Sequence, residues 1–213
     1  MTVVCSGGFE PDLTKWDAWH PAEVAQRFAG IQAPWYVAAG WSIDLFLGEQ
    51  RREHEDLEIA VPHDRVGEMV VALGGFDLFV PMEGPTGNGQ VCPFDADAEY
   101  DEEHHQTWVR EPATGTWRMD IFRDPSDGDT WICRRDPRIR RPYREVFEFT
   151  PDGIPYLCPE VALLFKAKHA HLPKNQGDFA AALPRLDPAR RRWLAESLAL
   201  VHPGHEWIDM LCE

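Results

Sequence analysis

The sequence predicts an α+β (α/β) fold, a mixed sheet with flanking helices followed by a helical C-terminal part. Three observations lead there. Short apolar runs closed by glycine or proline alternate with stretches of helical periodicity over the first 157 residues. The segments after Cys158 carry only helical patterns. The composition of the 213 residues, 44% hydrophobic and 27% charged, is that of a globular chain able to bury a core.

Taken in order, "HPAEVAQRFAGI" places Pro21 at a helix start and spaces apolar residues for one helical face. "PWYVAAG" is a short apolar run stopped by Gly40, read as a buried strand. "WSIDLFLGEQ" is a short helix with Ile43, Phe46 and Leu47 on one side and Gly48 at its end. "DLEIAV" is a strand closed by Pro62, "DRVGEMVVAL" a helix ended by Gly74-Gly75, and "FDLFV" a strand. "EGPTGNGQ" and the acidic run "DADAEYDEEHH" are expected to be loop. "QTWVREPATGTWRMDIF" predicts two strands about the turn "PATG". "TWICRR" is extended, and "VFEF" and "IPYL" form a hairpin across "TPDG". Helices are expected around "PEVALLFKAKHAH", "GDFAAALPRL", "ARRRWLAESLAL" and "EWIDML", the first with Pro159 at its start. This divides the chain into residues 1–157, an α/β domain, and 158–213, a helical domain.

Net charge is −15, which disfavours a broad electrostatic grip on nucleic acid and fits an acidic surface or a cationic small ligand. No apolar stretch is as long as a membrane span, and the N-terminus lacks the pattern of a signal peptide. The five cysteines, odd in number and scattered, predict no disulfide framework and a reduced, cytoplasmic protein.

In "DLEIAV", Asp56 and Glu58 are two apart, so a strand turns both carboxylates to one face and Leu57 and Ile59 to the other. Asp120 is a lone acid inside the apolar "WRMDIF", where an unpaired carboxylate is costly to bury. Three acids held together call for a cation, and magnesium suits carboxylate oxygen while leaving room for phosphate. The glycine turn at Gly40 presents a helix N-terminus with Ser42, a good place for phosphate oxygens. Of the nine tryptophans, Trp41, Trp108 and Trp117 are candidates to line a pocket, although core is the commoner use. The basic "RRDPRIRRPYR" is most simply a salt-bridged surface.

"AGWSIDLFLGEQRREHEDLEIAV" resembles the core of the DNA polymerase β-type nucleotidyltransferases, and most of all the small aminoglycoside and lincosamide nucleotidyltransferases. Gly40, Trp41, Asp44, Leu47-Gly48, Arg52, His54 and Asp56 keep that pattern. Ala39 departs from it where the first glycine of a pair is usual, and Glu58 where aspartate is commoner. The resemblance implies Mg2+-dependent transfer of a nucleoside monophosphate, AMP from ATP or the equivalent from another NTP, to a hydroxyl of a small acceptor. A cationic, aminoglycoside-like antibiotic is the acceptor suggested. It further implies that Asp56, Glu58 and Asp120 hold the metal, with Asp120 drawing the acceptor's proton. Gly40, Ser42 and Lys166 would meet the nucleotide phosphates, with Lys168 a competitor for the last role. Two alternatives stay open: a binding or regulatory module that keeps the fold without the reaction, and a toxin-like transferase acting on RNA or protein. The sequence leaves acceptor, base preference and oligomeric state open.

Overall fold

The computed structural model describes residues 5, 7–83, 89–96, 98 and 100–212, with the side chains of residues 83 and 102 excepted. Parts of the expected loops, residues 84–88, 97 and 99, lie outside the described residues. In chain order the elements are α1 (Pro21–Arg27), β1 (Tyr36–Val37), α2 (Ala39–Leu47), β2 (Glu58–Pro62), α3 (Val66–Ala72), β3 (Asp77–Glu83), β4 (Gly89–Pro93), β5 (Gln106–Glu111) and β6 (Thr116–Asp124). There follow β7 (Ser126–Asp127), β8 (Thr130–Ile132), β9 (Arg140–Pro142), β10 (Phe147–Phe149) and β11 (Pro155–Leu157). The helices α4 (Pro159–Lys166), α5 (Pro173–Ala182), α6 (Pro188–Val201) and α7 (Trp207–Cys212) close the chain.

The chain forms two compact units, Met1–Trp35 with His54–Ser126, and Tyr36–Glu53 with Asp127–Glu213. They do not follow the division expected at residue 157. The C-terminal helices share a unit with β1, α2 and residues 127–157, because α2 packs on α4 and α5.

In the first unit the strand order is β2-β6-β5-β3-β4. β2 runs parallel to β6, and the other neighbours are antiparallel. Leu57, Ile59, Ala60 and Val61 are fully buried, as are Val109, Met119 and Ile121 to within 1%. Phe79, Val91 and Trp117 form a hydrophobic cluster against which Trp16 and Trp108 pack. The sequence does not announce β4: Gly89 at its start and the glycine-rich residues before it hide a strand whose register with β3 pairs Val80 with Cys92.

The segment before α1 is tied across this sheet. Phe9 and Val91 exchange backbone hydrogen bonds of 3.1 and 2.9 Å, and the amides of Asp17 and Trp19 donate to Trp117 and Arg118 carbonyls. Cys5 and Cys92 form a disulfide across 87 residues, which corrects the expectation that all five cysteines are unpaired. Register with β3 and the pairing of Phe9 with Val91 bring the two sulfurs together; nothing in their spacing announces it.

In the second unit β10-β11-β1 form a strand set in which β1 runs parallel to β11. Phe179 stacks on Trp207 at 4.1 Å, joining α5 to α7. The basic stretch is salt-bridged as expected: Arg138 pairs with Asp136 at 2.5 Å and Arg141 with the buried Glu160 at 2.7 Å. Among the described residues no helix is long and apolar enough to cross a membrane.

Candidate active site

The carboxylates meet on the sheet of the first unit. Glu58 opens β2 and is the register partner of Asp120 in β6, so the two side chains share a face. The Asp120 amide donates to the Leu57 carbonyl at 2.9 Å, which fixes that register. Asp56 lies just before β2 and is exposed, Glu58 is half-buried, and Asp120 is 4% exposed. On the other side, Trp108 of β5 is the antiparallel partner of Asp120. Asp56, Glu58 and Asp120 line one cleft of about 550 Å³ together with Glu55, Gln106, Trp108, Leu13 and Trp16.

The burial of Asp120 has a chemical consequence. Desolvation, and to a smaller extent the charge of Asp56, push its carboxyl up to about 7, against the hydrogen bond from Gln106. The Gln106 side-chain amide donates to Asp120 Oδ2. No sequence signal marks Gln106, since only the β5–β6 register brings it beside Asp120. Of the tryptophan candidates, Trp108 lines the cleft, whereas Trp41 and Trp117 are core residues, 7% and 1% exposed. Among the described residues, no three His, Cys, Asp or Glu side chains stand close enough to hold a metal ion as placed. The three acids therefore surround a common space without closing on it.

The residues expected at the phosphates all lie in the second unit. β1 leads into α2 through Ala38, which makes no side-chain cap, so the first turn of α2 keeps backbone amides without intrahelical carbonyl partners. Ala39 has a φ of 48°, the one left-handed non-glycine among the described residues. The family pattern has a glycine at this position, and a Cβ there costs about 1–2 kcal/mol. Gly40 is buried. Ser42 is fully buried too, and its hydroxyl donates to the Ala39 carbonyl at 2.9 Å, so the hydroxyl hydrogen bond braces the turn. Gly48, with φ of 78°, ends α2 as expected.

Lys166 ends α4. Its ammonium pairs with the buried Asp178 at 2.8 Å, with Arg52 3.8 Å from the same oxygen and Asn175 Oδ1 3.5 Å from the Lys166 ammonium. An open lysine would have had no such partner. Lys168, two residues on, is exposed. Replacing Ala39 by glycine should relieve the left-handed strain, partly offset by the entropy of a freer unfolded chain. A gain of about 1 kcal/mol, or about 2–4 °C in thermal midpoint, is expected. A fall in midpoint for Ala39→Gly would contradict the strained turn.

Residues 22–80 match the model of the aminoglycoside-2''-adenylyltransferase family. A 2''-aminoglycoside nucleotidyltransferase of Klebsiella pneumoniae is 42% identical over 45 residues, 20% of this chain and 25% of that protein. The matched stretch thus spans about a quarter of the length of this curated relative. The solution structure of the antibiotic-resistance factor ANT(2'')-Ia superposes with a TM-score of 0.52 at 15% identity, covering 86% of this chain and 94% of that one. The lincomycin-bound lincosamide adenylyltransferase LnuA reaches 0.49 at 15% identity, over 75% and 92% of the two chains. The chain is therefore a nucleotidyltransferase-fold protein whose residues 22–80 carry the sequence pattern of the aminoglycoside-2''-adenylyltransferase family.

Proposed function

We propose that the protein transfers a nucleoside monophosphate, AMP from ATP, to a hydroxyl of a small cationic antibiotic-like acceptor. The observation that carries this is the convergence of Asp56, Glu58 and Asp120 on one cleft. The donor set suits Mg2+: hard carboxylate oxygens, crowded enough that Asp56 raises the affinity of Asp120 for a proton. Asp56, Glu58 and Asp120 would hold the ion, which when bound would offset phosphate charge and lower the barrier to displacement. Gly40 and the first amides of α2 would receive phosphate oxygens. Ser42 would take part after releasing the Ala39 carbonyl, and Lys166 while sharing its charge with Asp178. Asp120 would take the proton as the acceptor oxygen bonds to the α-phosphorus and pyrophosphate leaves. Glu55, which lines the cleft outside the proposed metal set, would favour an ammonium-bearing acceptor. The matched relative's name, an aminoglycoside nucleotidyltransferase, supports the same class.

The test is incubation with Mg2+, each of the four nucleoside triphosphates and either tobramycin or lincomycin, followed by product mass. One nucleotidyl group should appear on an antibiotic, most with ATP. No adduct with any combination would overturn this acceptor class and favour a fold kept for binding alone.

A further inference from the structure

We infer that the segment Gly7–Trp19 forms the acceptor-recognition wall of the acid cleft, and that this wall selects acceptors presenting an apolar ring face beside their positive charge. The inference rests on the transfer reading for the word acceptor, and on geometry for the wall. Leu13 and Trp16 line the same cleft as Asp56, Glu58 and Asp120, and Trp108 joins them from β5. The segment lies before the residues that match the family model, 22–80.

The wall is held in place from several sides. Asp12 caps the turn Leu13–Lys15, accepting from the Thr14 amide at 3.1 Å, and its carbonyl accepts from the Trp117 indole at 3.1 Å. Trp16 meets Trp108 edge to face at 5.5 Å and is bridged to Trp117 through the backbone. Beyond it, the Asp17 amide donates to the Trp117 carbonyl at 3.1 Å. A wall so fixed loses little freedom when a ligand covers it.

Leu13 gives the wall its binding character. It is 59% exposed on this braced turn. A ligand that covers it removes apolar surface from water, which is favourable in proportion to area. The two indole rings add faces and edges that suit a saturated ring. Glu55 lines the same cleft and supplies negative charge outside the proposed metal set. Charge alone would accept any polycation. Charge beside an indole-and-leucine wall prefers a cationic ring compound, such as an aminosugar, over a flexible linear polyamine.

The experiment uses the full chain, with tobramycin and spermine as probes for calorimetric binding and tobramycin for steady-state transfer. Leu13→Ser alters an exposed side chain, and Trp16→Leu is controlled by its thermal midpoint. The wild type should bind tobramycin more tightly than spermine. Leu13→Ser should weaken tobramycin binding and raise its KM by about tenfold, leave spermine binding unchanged, and leave kcat and the KM for ATP within about twofold. Transfer by the wild type with a tobramycin KM indifferent to Leu13→Ser would overturn the wall and leave the transfer reading standing. Binding that depends on Leu13, without transfer, would overturn the transfer reading and leave the wall. Failure of the wild type to bind tobramycin would overturn the wall, and the transfer reading would fall with it only if lincomycin too gained no nucleotidyl group.

Discussion

Asp120→Asn should make the protein more stable at pH 8 while removing transfer. The carboxyl is raised to about 7, above its ordinary 3.8. Between those values the folded state holds a proton that the unfolded chain has released, so stability falls as pH rises through this window. Above about pH 7 both states are ionised and the cost is fully present. Ionising a carboxyl raised that far costs the folded state about 4 kcal/mol, an upper figure for a group that relaxes when it ionises. Asparagine cannot ionise, and its carbonyl can still accept from Gln106. In EDTA the variant should therefore exceed the wild type at pH 8 by about 2–4 kcal/mol, and the difference should vanish near pH 4. Transfer should drop by about a thousandfold or more, since the proposed proton acceptor and a metal carboxylate are lost together. Urea unfolding at the two pH values checks the first part. Equal stability of the two proteins at pH 8 would mean that Asp120 is not held in a desolvated position.

Lys166→Met is expected to destabilise the folded state by about 3 kcal/mol. Removing one partner of a buried ion pair leaves the other charge without compensation, at about 3–5 kcal/mol. The side chains of Lys166 and Asp178 are 10% and 3% exposed, and Arg52 at 3.8 Å keeps the loss at the lower end. Adding Asp178→Leu to Lys166→Met should recover much of the stability, because the stranded carboxylate is then gone. The chemical denaturation midpoints of the single and double variants check this. A loss below about 1 kcal/mol for Lys166→Met would contradict the buried pair. The pair also bears on function: if Lys166 meets nucleotide phosphates, Asp178 competes for the same ammonium, and Asp178→Asn should tighten ATP binding.

The elements that carry their own signals are legible in the sequence. Gly48 ends α2 where a left-handed residue is needed, and Pro159 opens α4. The alternation Asp56, Leu57, Glu58, Ile59 separates an acid face from a buried face. The isolation of Asp120 within apolar residues points to a neighbour in space, and register supplies Glu58. What stays hidden depends on tertiary pairing. Gln106 gains its role only because β5 lies antiparallel to β6. Ser42 lies in α2 and Lys166 ends α4, and neither the hydroxyl bond to the Ala39 carbonyl nor the ion pair with Asp178 can be read from local spacing. The N-terminal segment has neither helical nor strand periodicity, so its path along Val91 and Trp117 carries no signal. The compact units are likewise discontinuous in sequence, because Tyr36–Glu53 packs with helices that begin more than a hundred residues later.

The central claim is that Asp56, Glu58 and Asp120 act as one metal-binding set for nucleotide transfer. Calorimetric titration of Mg2+ into the protein with a non-hydrolysable ATP analogue at pH 8 tests it most directly, with Asp120→Asn run beside the wild type. Mg2+-dependent binding in the wild type that is lost in Asp120→Asn, in a variant that is folded and more stable, is the predicted result. Equal Mg2+ binding by the two proteins, or nucleotide binding indifferent to Mg2+ in the wild type, would contradict it.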